Sequence, residues 1–165
     1  MKRAPILLLG LMMLSACGLQ PLYSGGSSGA VATGLSTIQV APIPERAGWL
    51  IRNALVDRLG GEVGSPAFRL EVELDDDLTG FGIRGDSAAT RERRTLRARY
   101  RLVDLSNGQV VLDATAGSDA GIDVVSSEYA TVAAEQSALE RLSTVVADQM
   151  VARLGLFVRR RPAGS

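Results

Sequence analysis

The chain has 165 residues, with 18 basic and 18 acidic side chains, no histidine and a single cysteine. Without histidine, and with its one thiol at Cys17, it can build neither a Ser-His-Asp or Cys-His triad nor a zinc site of His and Cys ligands. A neutral charge balance carries no nucleic-acid footprint, and of the common hydrolytic chemistries only the carboxylate-based one stays formally open.

Lys2 and Arg3 precede an apolar run from Pro5 to Met13, which ends in Leu14-Ser15-Ala16-Cys17. A basic start, a short apolar stretch and small residues before the break form a secretory signal peptide. A cysteine at the break makes it a bacterial lipobox, so residues 1–16 are expected to be removed and Cys17 to carry lipid. The apolar run is too short to span a bilayer, which takes about 20 residues. The next stretch, 17–34, is rich in glycine and serine and reads as a lipidated flexible tether. Pro21, Leu22 and Tyr23 interrupt it.

The folded domain is expected over 35–157. Ser36 to Ala41 reads as a first strand, stopped by Pro42 and Pro44. Ala47, Leu50, Ile51, Ala54, Leu55 and Leu59 recur at helical spacing, with Pro44 and Glu45 opening the helix and Gly60-Gly61 closing it. Phe68, Leu70, Val72 and Leu74 alternate with Arg69, Glu71, Glu73 and Asp75 as in a half-buried strand. A polar loop is expected from Asp76 to about Ala89, then a long strand from Thr90 to Leu105.

Ser106-Asn107-Gly108 marks a hairpin turn, and Gln109 to about Thr115 returns as the fourth strand. Pairing Leu102 with Leu112 puts the apolar residues of both strands on one face and Arg101 opposite Asp113 on the other. It leaves a three-residue loop with Gly108 left-handed. Asp119 to Ser126 reads as loop. A last helix runs from about Ser127 to Leu154, with Val132, Leu139, Leu142, Val146, Met150 and Leu154 as its apolar stripe. Residues 158–165, with Arg159-Arg160-Arg161, read as a basic disordered tail. The fold class is α+β, a mostly antiparallel four-stranded sheet with two helices on one face, in the order β-α-β-β-β-α.

Gly80, Gly82 and Gly85 spell a G-x-G-x-x-G, but a strand rather than a helix follows, so no helix N-terminus would hold a pyrophosphate. Asp75-Asp76-Asp77 lacks calcium-loop spacing and reads as a solvated strand exit. No metal or cofactor is expected. Arg91, Arg93, Arg97, Arg99 and Arg101 share one face of their strand, where Glu71, Glu73, Asp75 and Asp113 can pair with them across the sheet. Toward the loop, Arg84, Arg91, Arg93 and Arg94 outnumber Asp86 and Glu92, and arginine can fork onto phosphate.

With these residues in place the chain resembles the LPS-assembly lipoprotein family LptE (RlpB), in its alphaproteobacterial form. The resemblance rests on Cys17-Gly18-Leu19-Gln20-Pro21-Leu22-Tyr23, Ala89-Thr90-Arg91, Tyr100-Arg101-Leu102-Val103-Asp104 before Asn107-Gly108, and Ser127-Glu128-Tyr129-Ala130-Thr131 leading into the last helix. It implies a non-enzymatic outer-membrane lipoprotein on the periplasmic side, held by lipid on Cys17. Such a protein partners and plugs an LptD-like β-barrel and binds lipopolysaccharide, with Arg84, Arg91, Arg93 and Arg94 as the candidate contacts. The rival readings are a periplasmic lipoprotein module of another system (a cell-wall synthase activator or a lipid-transfer accessory) and a carboxylate-dependent hydrolase.

Overall fold

A computed structural model describes residues 29–61, 64–83 and 89–161; Cys17 and Arg84 lie outside them. The elements are α1 (Ala30–Leu35), β1 (Ile38–Val40), α2 (Glu45–Leu59), β2 (Phe68–Ile83), β3 (Ala89–Asp104), β4 (Val110–Asp123) and α3 (Glu128–Arg160). The strands lie in the order β1-β2-β3-β4. β2, β3 and β4 are antiparallel, and the short β1 runs parallel to the start of β2. The expected α+β order is present, and the sheet is mixed only through β1.

Period-two alternation divides β2 and β3 into two faces. Leu70, Leu96, Ala98, Tyr100 and Leu102 are buried and join Ile51, Leu55 and Leu59 of α2 and Leu142, Val146, Met150 and Leu154 of α3 in one core. Both long helices therefore cover the same face, as their apolar stripes require. Val132 departs from the expected stripe and is exposed, whereas Thr131 and Ala138 turn inward.

α2 begins after Pro44 and ends at Gly60, whose φ of 103° is the left-handed closure that favours glycine. Gly48 faces the chain that enters this helix. A methyl group added there would meet the Ile43 carbonyl oxygen at 2.6 Å. Gly48→Ala is expected to lower stability by about 1–3 kcal/mol, because the backbone clash outweighs the ~1 kcal/mol gained in helix propensity. Chemical denaturation measures the difference.

Four expectations on element length are corrected. The loop expected from Asp76 to Ala89 is strand up to Ile83 and again from Ala89, with Gly80 and Gly82 inside β2. Continuous pairing from Phe68↔Asp104 to Ile83↔Ala89 explains this, since the ladder holds polar residues as well as apolar ones. β4 likewise runs through Asp119 to Asp123, paired with β3 as far as Arg91. Ala30–Leu35 is helical although it falls within the stretch expected to be tether, and Leu35 is buried in the core. At the other end α3 continues to Arg160 instead of stopping near Leu154. Arg161 bonds Asp104 at 3.2 Å and lies over the rings of Phe68 and Phe157, so residues 158–161 pack as part of the folded body.

The hairpin register is Leu102↔Leu112 and Arg101↔Asp113, and Gly108 has a φ of 72°. Between Leu102 and Val103 the register shifts by one, so Val103 faces Val110, and the Asp104 N–H donates to the Gln109 carbonyl. The loop is therefore Leu105–Gly108, one residue longer than expected. Side chains dictate the longer turn: Asp104 accepts bonds from the Ser106 N–H and hydroxyl, and Asn107 accepts one from the Gln109 N–H.

Candidate functional site: the open face of the sheet

The face of the sheet turned away from the helices carries Glu71, Glu73, Asp75, Asp77, Thr79 and Phe81 on β2. The arginine row lies on β3, and Asp113, Thr115, Gly117, Asp119, Gly121 and Asp123 lie on β4. A central row of guanidinium groups is thus bordered by acidic rows on both sides. Arg101 bonds Glu73 at 3.1 Å and approaches Glu71 at 3.6 Å. Arg99 reaches diagonally to Asp113 at 2.9 Å, taking the carboxylate that directly faces Arg101. The Arg99 hydrogen bond, followed by its charge, holds the Asp113 carboxyl below its ordinary range.

Nearer the tip the pairing thins. Arg91 contacts Asp123 at 3.2 Å with both side chains mostly exposed, a geometry worth only about 0–1 kcal/mol. The guanidinium of Arg93 stands 5.5 Å over the ring of Phe81, and no carboxylate pairs with it among the described residues. Arg97 also has no ion-pair partner among them, and its stem lies over Gly117, where a methyl would come within 3.2 Å of Cγ.

Arg94 points the other way, as an even-numbered position must. It forms two bonds to Asp76, at 2.6 and 2.8 Å, and a third to the Glu135 carbonyl of α3. Strand β2, read from sequence as ending before Asp76, in fact delivers that carboxylate to Arg94. The hydrogen bond that Arg94 donates to Asp76 is the main cause that raises the Arg94 pKa. Of the four arginines singled out from sequence, Arg91 and Arg93 share the open face, Arg94 is tied beneath the helix layer, and Arg84 lies outside the described residues. The expected excess of positive charge at the tip also shrinks, because β4 brings Asp119 and Asp123 alongside.

Glu92 lies one residue from both arginines on the helix face, and its Oε2 is buried without a hydrogen-bond partner. Burial first, then the charge of Glu135 and a hydrogen bond to it, raise its pKa. A carboxyl with a folded pKa above its unfolded value favours the fold while protonated. That contribution is present below the unfolded pKa and lost as pH rises through the folded one. Glu92→Gln is expected to raise the melting temperature at pH 7 and to change it little at about pH 4, where the native carboxyl is largely neutral already. Thermal unfolding at the two pH values measures the difference.

Among the described residues no group of three or more acidic or cysteine side chains is placed to hold a metal ion. No helix among them is long and apolar enough to cross a membrane. Two helices over one face of a four-stranded sheet, with a charged face left open, define a class of small α+β domains whose sheet presents an open charged surface. Within that class the family model of LptE, described as lipopolysaccharide-assembly, matches residues 35–154, and the chain belongs to this family. No curated protein matches it in sequence. It is similar to a crystal structure of a Caulobacter crescentus protein assigned as a lipoprotein, with 29% identity and a TM-score of 0.68 over 82% of this chain and 100% of that one. The rare lipoprotein B of Shewanella oneidensis shares the fold at 7% identity and a TM-score of 0.59, over 74% of this chain and 95% of that one.

Proposed function

We propose that the protein is a non-enzymatic lipoprotein of the outer membrane, held on its periplasmic side by lipid on Cys17. There it partners and plugs an LptD-like β-barrel and assists lipopolysaccharide on its way to the outer leaflet. The observation that carries this reading is the match of the lipopolysaccharide-assembly family over nearly the whole folded body, 35–154. The open sheet face supports it. Arg91 and Arg93 stand on that face where the anionic groups of lipopolysaccharide can be met by guanidinium forks. Arg84, between β2 and β3 in sequence, is a further candidate; Arg94 is already committed to Asp76.

Pull-down of the lipidated protein from detergent-solubilised outer membrane tests the partner. Co-purification of a large β-barrel protein is expected, and depletion of the protein should then reduce lipopolysaccharide at the cell surface. Recovery of a cell-wall synthase in place of the barrel would overturn the reading.

A further inference from the structure

A groove of about 1090 Å³ opens at the end of the domain opposite the β2–β3 tip, larger than the clefts of about 510 and 420 Å³ beside β4. Val31 of α1, Phe68 at the start of β2, Leu105 of the hairpin and Phe157 and Val158 of α3 give it apolar walls. Phe68 and Phe157 meet edge to face at 6.1 Å, and Arg161 closes over both rings. Arg161 is itself engaged by Asp104. Arg159, at the rim, has no ion-pair partner among the described residues. An apolar groove of this size with few convergent polar groups has the make-up of a binding site.

We propose that this groove is the seat of the chain's own Pro21-Leu22-Tyr23. The first described helix builds one wall of the groove, so the chain preceding it enters at the groove itself. Between Tyr23 and Ala30 stand only serine and glycine, Ser24 to Gly29. Seven steps of at most about 3.5 Å give a reach of about 24 Å, enough to turn back over the wall. Closing so short a loop costs little, and the tether holds the segment at an effective concentration in the millimolar range. The chemistry matches as well. In Gly18–Gly29 the apolar residues are Leu19, Pro21, Leu22 and Tyr23, and burial in the groove removes them from water. The tyrosine hydroxyl finds a polar partner at the rim in Arg159. At the other terminus Pro162-Ala163-Gly164-Ser165 offers little apolar area to bury. Seating residues 21–23 leaves only Gly18 to Gln20 between Cys17 and the body. The domain is then held close against the membrane in a set orientation instead of swinging on a long leash.

Disulfide trapping in the Cys17→Ser chain starting at residue 17 tests this. Tyr23→Cys combined with Leu105→Cys, in the groove wall, is expected to oxidise at least about tenfold faster than Tyr23→Cys with Val110→Cys, an exposed site near the same hairpin but outside the groove lining. Adding Leu22→Asp should abolish the difference. Equal rates in the first comparison would overturn the proposal. So would methyl NMR signals of Val31 and Val158 that ignore Leu22→Asp but shift on adding phosphatidylglycerol vesicles, because the groove would then be a lipid seat. Neither measurement depends on a barrel or on lipopolysaccharide.

Discussion

Tyr100→Ala is expected to destabilise the domain by about 3–5 kcal/mol, in the range found for removing a large aromatic from a core. For a domain of this size that lowers the melting temperature by roughly 10–20 °C. Tyr100 is 1% exposed at the centre of β3, with Val72 of β2 and Ala114 of β4 directly across from it on the core face. The same face of the sheet meets α3, whose Val146 and Met150 are wholly buried in the same cluster. One truncation therefore opens a void against sheet and helix together, and small neighbours such as Ala98 and Ala114 cannot fill it. The hydroxyl contributes less. Tyr100 lines a cleft with Asp113 and Arg153, and burial raises its pKa, so the group stays neutral at physiological pH. Tyr100→Phe is thus expected to keep most of the stability. Denaturant unfolding of the two variants separates the ring from the hydroxyl, and a Tyr100→Ala protein as stable as the parent would contradict this account of the core.

Why the centre of this fold could be read from sequence, and its ends could not, follows from where burial sets the pattern. Leu70, Leu102 and Leu112 sit in strict alternation because one face of the sheet is dry, and a one-residue slip would invert it. Their pairing, and Arg101 opposite Asp113, followed directly. Beyond Asp76 the β2–β3 ribbon outruns the main core. Its ladder is held by backbone bonds that place no demand on side-chain type, and Asp76-Asp77, Gly80 and Gly82 look like a loop although they are strand. The same reason hid the true site of Arg94. Its even-numbered position puts it on the helix face, yet its partner Asp76 has the local sequence of a loop. At the termini the signals were tertiary. Ala30–Leu35 is short and contains Gly34, a weak helix by propensity. It holds because Leu35 enters the core and Gly34 lets the helix approach Val158 closely. Arg161 belongs to the body only because Asp104 and two phenylalanine rings are within its reach, which no local pattern announces. The open face was legible in composition but not in pairing. Sequence could place five arginines on one side of β3, whereas the diagonal bond from Arg99 to Asp113 depends on sheet geometry.

That difference in pairing decides how the tip should answer to charge reversal. Arg91→Glu with Arg93→Glu is expected to weaken binding of lipopolysaccharide by about tenfold or more, some 1.4 kcal/mol or above, while the domain stays folded. Folding is spared because the Arg91–Asp123 contact is exposed and the Arg93–Phe81 contact contributes at most about 1 kcal/mol. The two arginines are not equivalent. Before it can serve an anion, Arg91 must release Asp123, whereas Arg93 leaves a π-face and no carboxylate. Arg93→Gln should therefore cost more binding than Arg91→Gln, and Asp123→Asn should tighten binding by freeing Arg91 and removing a nearby negative charge. Raising the salt concentration should weaken the parent and flatten the differences among variants, since these charges are exposed to screening. Binding to immobilised lipopolysaccharide at two salt concentrations, with circular dichroism to confirm the fold, measures all four variants. If the double charge reversal folds and binds as the parent does, the open face at the tip is not where the lipopolysaccharide anions sit, and the next candidate is Arg97 in the middle of the row, a guanidinium without a carboxylate partner among the described residues that lies over Gly117.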